Sequence, residues 1–432
     1  MHDTRPTFTS FDELSRHLEE RGFFRIEPGL DRIISVLEHF GRDFRFTTVQ
    51  VLGTNGKGST STFLASLAGK HGLSVGLYTS PHFVTIRERV RIDGAMLSEE
   101  EWVSYGNMAL EACPDLTYFE FTTAVAVLAF ARKGVDLAVL EAGLGGSWDA
   151  TTAVPVDCTV FTPIDMDHAA VLGPTVRDIA RDKAGAVRPQ TPVFSAPQSP
   201  EAKEEISAAA GTKKAPLVFV EGPGALPPAI QAGEQQLGIG GSYQMGNAAL
   251  ALAAWEYLAK TLGAKSADEK LTAALTSAFI PGRFQAIAAN DATRLPAMLL
   301  DGAHNPHGLA GLGKALAEQK IAPAAVIFSC LADKDIESIV PHLRVLATGP
   351  VFIPPIEDNP RAMDPRILAE KLGGGALAVP SLQVALSHAA AAAKDRLGEE
   401  ASAGNPVLLC GSLYLLGQFF ALYPQYLEAG KG

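Results

Sequence analysis

Apolar residues along this chain alternate between the two-residue spacing of strands and the three-to-four spacing of helices. Leu30, Ile33, Ile34 and Leu37 fall on one helical face. Downstream the order is strand, glycine-rich turn, helix, strand, in FTTVQVL, GTNGKGS, TSTFLASLAGKHG and SVGLYTS. A helix is predicted in FTTAVAVLAFARKG, strands in DLAVLEAG and CTVFTP, and another helix in TVRDIARDKAG. Apolar strands alternating with helices predict a parallel sheet covered on both faces. From about Ser199 to Tyr243 the pattern weakens and suggests peripheral elements or loops. It resumes in the helix GNAALALAAWEYLAKTLG. The turn-rich ANDATRLP then reads as a linker, and a second alternation follows in PAMLLDGAHNP, AAVIFSCLADKD, GPVFIPP, GALAVP and PVLLCGSLY. The expectation is an α/β protein of two domains, residues 1–290 and 295–432.

Composition narrows the classes. The 432 residues are 47% hydrophobic and 19% charged, which suits buried cores and excludes a disordered or fibrous chain. A net charge of −11 argues against binding nucleic-acid backbones, which requires a basic face. Cys113, Cys158, Cys330 and Cys410 lie far apart and read as reduced, mostly buried thiols. The first residues are polar, and no apolar run approaches the roughly 18 residues of a membrane span. A soluble cytoplasmic protein without membrane or nucleic-acid partners is expected.

Gly53-Thr54-Asn55-Gly56-Lys57-Gly58-Ser59 follows a predicted strand and opens a predicted helix. Glycines let successive N–H groups converge on one oxyanion. The helix terminus adds its dipole and Lys57 adds a charge. The string departs from G-x-x-x-x-G-K-[ST], because Gly58 separates Lys57 from Ser59. Glu141 ends an apolar strand where a nucleotide's magnesium is commonly held, although an N-cap or surface acid is also open. His168 after CTVFTP and Ser80 after SVGLYT also follow strands, and each alone could be a loop or turn residue.

With these residues in view, the chain resembles the folate branch of the Mur ligase superfamily, the folylpolyglutamate and dihydrofolate synthases. GTNGKGS, TSPH, Arg87–Arg89, YFEFTT, EAGLGGSWDAT, Asp167-His168, DKAG, GRF, DGAHNP, DKD and GSLY carry the resemblance in order. It implies a P-loop parallel-sheet ATP-binding domain followed by a smaller Rossmann-like α/β domain. ATP would be bound by Thr54 to Ser59, Asn247, Arg283 and Asp301, and would lie between the domains. One or two magnesium ions would be held by Ser80, Glu141, His168 and a carbamylated Lys183. A pterin substrate would meet Gly29, Leu30, Phe119, Glu120, Phe121, Thr122, Trp148, Asp149 and Ala150, with His304 also at the substrate. The family commonly has Arg where this chain has Ser147 or Trp148, so contacts there can differ.

Lys57, Lys183, His168 and Arg283 are the implied catalytic residues. The implied activity is ATP-dependent addition of L-glutamate to dihydropteroate, to the γ-carboxylate of a reduced folate, or to both, by a monomer. Two alternatives stay open at this point, a peptidoglycan-type amino-acid ligase and a P-loop kinase. The former is disfavoured because only 52 residues precede Gly53.

Overall fold

The computed structural model describes residues 7–22, 27–41, 44–290, 292–397 and 405–428. The chain forms two compact units, 1–236 with 246–278, and 237–245 with 279–432. The boundary differs from the expected linker at 289–296, of which Asp291 lies outside the described residues. Residues 279–290 belong to the second unit because a short strand there, Gln285–Ile287, pairs antiparallel with Met298–Leu300. Three residues are too few to show a period, so this strand left no sign in the sequence.

The first unit is built on eight strands, β1 (Thr47–Leu52), β2 (Val75–Tyr78), β3 (Val90–Ile92), β4 (Ala95–Met96), β5 (Leu137–Glu141), β6 (Cys158–Phe161), β7 (Val193–Ser195) and β8 (Leu217–Phe219). Their order is β4-β3-β2-β5-β1-β6-β7-β8. The six strands from β2 to β8 run parallel, and β3 and β4 add an antiparallel edge. β1, β5 and β6 are buried on both faces: Val49, Val51, Val139 and Val160 are fully buried, and so is Gln50 on the opposite face of β1, where it donates to Thr151 and Thr152.

The weakly patterned stretch after Ser199 holds a helix, Pro200–Lys213, and β8. Ser199 caps that helix, which buries only Ala202, Ile206 and Ala210, so its apolar signal is thin. The antiparallel edge and the helices Phe11–Arg21, Glu99–Ala112 and Asp268–Ser277 were also not evident in the apolar spacing.

The second unit carries β9 (Gln285–Ile287), β10 (Met298–Leu300), β11 (Ala325–Phe328), β12 (Val351–Ile353), β13 (Leu377–Ala378) and β14 (Val407–Cys410). Their order is β13-β12-β11-β14-β10-β9, parallel except for β9. Its core gathers Leu309, Leu312, Phe328, Ile339, Leu343 and Leu408. Among the described residues, no helix is long and apolar enough to cross a membrane.

Candidate active site

Parallel strands bring their carboxyl ends to one edge of a sheet, and loops leaving that edge form the usual crevice of an open α/β fold. Here β2, β5, β1 and β6 lie side by side, with Tyr78 opposite Leu140, Glu141 opposite Val51, and Leu52 opposite Phe161. Ser80, Glu141, Gly53 and the segment around His168 therefore leave the sheet together.

After β1 the chain turns at Gly53 (φ 139°) and Gly56 (φ 93°) into the helix Lys57–Lys70. A Cβ at Gly53 would stand 2.0 Å from Thr162 Oγ1, and one at Gly56 would stand 2.4 Å from Asn247 Oδ1. Only glycine fits either place, and the second contact sets the expected nucleotide residue Asn247 against the loop. Thr54 N donates to Pro163 O at 2.9 Å, and Thr54 Oγ1 bonds both the N–H and the carbonyl of Asp165 at 3.0 Å. Lys57 Nζ donates to Gly53 O at 3.2 Å and Thr54 O at 3.1 Å, so the ammonium sits over the loop's own hollow. The first-turn amides of this helix are those that an α-helix leaves without an internal acceptor.

Ser80 N donates to Glu141 Oε2 at 2.9 Å, joining two of the expected metal ligands, and Glu141 is buried. His168 precedes the short helix Ala169–Leu172 with φ 53°. One cavity is lined by Gly53, Thr54, Lys57, Asp167, His168 and Lys183. Among the described residues, no three His, Cys, Asp or Glu side chains already form a metal cluster. The expected donors are a carboxylate, a hydroxyl and an imidazole. Such an oxygen-rich set of low charge suits magnesium, which keeps several waters and substrate phosphate oxygens in its shell.

Lys183 stands in the helix Val176–Ala184 and is 5% exposed. Burial, followed by the positive charge of Lys57, lowers its pKa from 10.5 to about 7, and Asp149, Asp182 and Asp167 act against the shift. The loop after Glu141 rests on this helix. Ser147 N and Oγ both donate to Asp182 O, at 3.0 and 2.8 Å, and a Cβ on Gly146 would meet Lys183 O at 2.5 Å.

The expected pterin residues divide sharply. Phe119 is partly buried, its ring 5.7 Å from that of Tyr78 and close against Gly143. Trp148 is 61% exposed, and Ala150 is buried. Gly29 and Leu30 precede the helix Asp31–Phe40. Phe121 does not present its ring to a ligand. It is fully buried and packs toward Gly106 and Leu14, because two residues along a helix is more than half a turn from Phe119. Thr122 is also fully buried, its Oγ1 bonded to Tyr78 Oη at 2.6 Å and Phe119 O at 3.0 Å.

Asp149 accepts from Gly143 N, Leu144 N and Thr151 N at 2.8, 3.0 and 3.0 Å, and from Thr151 Oγ1 at 2.5 Å. Its carboxylate shapes the loop and has no face left for a ligand. Burial raises its pKa despite these bonds. Glu120 is likewise engaged, by Arg32 Nε at 2.9 Å and Thr117 N at 2.8 Å.

A buried group that the sequence reading did not connect lies beside this region. Arg89 Nε donates to His82 Nδ1 at 2.9 Å, and its guanidinium lies 5.3 Å from the centre of the Tyr118 ring. Burial, helped by Arg89, lowers the His82 pKa to about 3, so the ring is neutral with its proton on Nε2. TSPH and the Arg-Glu-Arg triplet were the visible signals, but not their pairing.

The second unit has its own cluster at the ends of β10 and β14. Asp301 Oδ2 accepts from Tyr243 Oη at 2.8 Å and Phe284 N at 2.9 Å, and Oδ1 accepts from Ala303 N at 2.8 Å. Asp301 thus organises the turn beside Arg283, which approaches Gly302 so closely that a Cβ there would lie 2.0 Å from Nη1. His304 Nδ1 donates to Gly302 O at 2.7 Å. Tyr243 is a residue the sequence did not single out, since nothing near it showed a period.

A phosphate loop at the head of one parallel sheet, with a carboxylate on the adjoining strand, defines a nucleotide-dependent α/β enzyme. Residues 282–413 match the family described as Mur ligase, glutamate ligase domain. The dihydrofolate synthase/folylpolyglutamate synthase of Bacillus subtilis (strain 168) is 33% identical over 373 residues, covering 79% of this chain and 84% of that one. Its counterpart in Escherichia coli (strain K12) is 32% identical over 446 residues, covering 96% of each. Among solved structures, E. coli FolC in complex with DHPP and ADP superimposes with a TM-score of 0.81 at 28% identity, covering 98% of this chain and 99% of that one. The Yersinia pestis bifunctional folylpolyglutamate synthase/dihydrofolate synthase complexed with AMPPNP and Mn ion gives 0.81 at 28% identity, covering 98% and 100%. The chain belongs to the dihydrofolate synthase/folylpolyglutamate synthase family of Mur-type ligases.

Proposed function

We propose that this chain joins L-glutamate to a pterin-bearing carboxylic acid at the expense of ATP, using both dihydropteroate and the γ-carboxylate of a reduced folate. The observation that carries the reading is the cavity in which Lys57, His168 and Lys183 meet at the phosphate loop. The relatives' names and the glutamate ligase match support a glutamate ligase over a kinase or a peptidoglycan ligase.

A carboxylate does not condense with an amine at neutral pH because an oxide or hydroxide is too poor a leaving group. An acceptor carboxylate oxygen attacks the γ-phosphorus of ATP, giving an acyl phosphate and ADP. The neutral amine of glutamate adds to the acyl carbon, loses a proton, and phosphate leaves to form the amide. Lys57 and the first-turn amides bind and orient the polyphosphate and neutralise charge as it moves onto the leaving oxygen. Phe119 offers a flat apolar surface to the heterocycle. Magnesium, held by Ser80, Glu141 and His168, would supply charge neutralisation at the phosphates.

Lys183 fits a further role in this scheme. A lysine buried beside Lys57 holds a large neutral fraction near pH 7, and a neutral amine adds carbon dioxide with loss of a proton. The carbamate would replace an unfavourable cation with hard oxygen donors.

The acceptor carboxylate labelled with 18O tests the chemistry. One labelled oxygen should appear in the phosphate released with each amide formed, and unlabelled phosphate would refute the acyl phosphate.

A further inference from the structure

Two separate stretches hold residues read as the pterin site, the 27–30 loop with Gly29 and Leu30 and the first turn of the helix Tyr118–Lys133, and they lie about ninety residues apart in sequence. One side chain joins them. Arg32 donates from Nε to Glu120 Oε2 at 2.9 Å and from Nη2 to the Glu27 carbonyl at 2.8 Å, and its Nη1 lies 3.6 Å from Glu27 Oε2. Glu120 is 5% exposed, and the same Oε2 closes the capping box with Thr117 N at 2.8 Å. The guanidinium therefore fixes the loop through its backbone and the helix through the carboxylate that caps it.

We propose that Arg32 is a positioning residue for the acceptor, setting the distance between the Gly29-Leu30 loop and the Phe119 turn. The inference rests on the acceptor-site reading above.

Three features support it. Gly29 stands at φ 128° with no atom within 4 Å of where its Cβ would lie, so the loop's packing rests on Leu30 against the core. The helix Asp31–Phe40 has an apolar anchor besides Arg32, through buried Ile33, Val36 and Leu37. Finally, the hydrogen bond to Glu120 holds the Arg32 pKa above its ordinary value, in keeping with the close pairing of the two side chains. Lysine cannot replace this fork, because one ammonium on a different stem cannot reproduce Nε and Nη2 donating in two fixed directions.

The test is steady-state kinetics on Arg32→Gln, Arg32→Lys and Glu120→Gln, with dihydropteroate, ATP and glutamate each varied, and with Phe119→Ala in parallel. The expected result is a KM for dihydropteroate raised tenfold or more in the three Arg32 and Glu120 variants. Their KM for ATP and glutamate should stay within twofold, and kcat at saturating acceptor within about threefold. Failure of Arg32→Lys to restore the acceptor KM is part of the expectation. An unchanged acceptor KM in Arg32→Gln while Phe119→Ala raises it would overturn the positioning role and leave the site reading intact. An acceptor KM unchanged in Phe119→Ala as well would overturn the site reading itself. Equal loss on all three substrates, with a lowered unfolding midpoint, would show Arg32 to be merely structural and would also overturn the inference. If Arg32→Gln does not fold, Arg32→Lys and Glu120→Gln decide by the same criteria.

Discussion

Replacing Lys183 by Met should make the first unit more stable at pH 6 while abolishing turnover. Met keeps the length and apolar stem of lysine and removes the amine. In the unfolded chain this lysine holds its proton to about pH 10.5, whereas burial and Lys57 lower the folded value to about 7. Below pH 6 both states are protonated, and folding bears the whole cost of burying the charge, on the order of 4–5 kcal/mol for a fall from 10.5 to about 7. Between pH 7 and 10.5 the unfolded state binds one proton more than the folded state. Parent stability therefore rises with pH there, and the advantage of the variant should shrink by roughly 2–3 kcal/mol between pH 6 and 9. At 5% exposure the charge gains little from solvent screening.

The assay is urea unfolding of the metal-free proteins in carbon dioxide-free buffer at several pH values, followed by tryptophan fluorescence. All three tryptophans, Trp102, Trp148 and Trp255, lie in the first unit, and two are fully buried, so the signal reports the unit that holds Lys183. Taking parent minus variant at each pH cancels the titrating groups that do not interact with Lys183. A Met variant less stable than the parent by the same amount at pH 6 and pH 9 would refute the reasoning.

Other substitutions probe separate parts of the site. Lys57→Ala should lower kcat a hundredfold or more, measured as ADP release at saturating ATP, because a desolvated phosphate loses its cation. Gly56→Ala should raise the KM for ATP at least tenfold in the same assay, since the new Cβ would lie 2.4 Å from Asn247 Oδ1 at a φ of 93°. Asp149→Asn should lower the urea midpoint by the equivalent of about 2–3 kcal/mol, because its amide would face N–H donors that now meet a carboxylate. Lys183→Arg should be inactive in the ADP assay despite its retained charge, because arginine does not form the carbamate, and bicarbonate should stimulate the parent but not this variant.

What the sequence made legible was the order of strands and helices and the chemistry at strand ends. Gly53 to Ser59 could be placed because the glycines, the preceding strand and the following helix are contiguous. Glu141 and Ser80 could be placed because each terminates an apolar run. Long-range pairings stayed hidden. Nothing local in RDIARDKAGAV shows that Lys183 shares a cavity with Lys57, or that Arg32 reaches Glu120. A carboxylate in a motif also does not say which donors will occupy it. Asp149, Glu120 and Asp301 are all held by N–H groups and neighbouring side chains, so Asp149 and Asp301 shape turns and Glu120 caps a helix. Phe121 was misplaced because adjacent motif letters were read as one surface, whereas a helix turns successive residues to different sides.

The central claim, glutamate ligation to a pterin acid, is tested most directly by ADP release from the purified protein with ATP and magnesium. Dihydropteroate and a tetrahydrofolate would each be supplied with and without L-glutamate. The account predicts that either acceptor supports sustained ADP release only when glutamate is present, with one amide formed per ADP. Release at the same rate without glutamate, or no release with either acceptor at saturation, would contradict it.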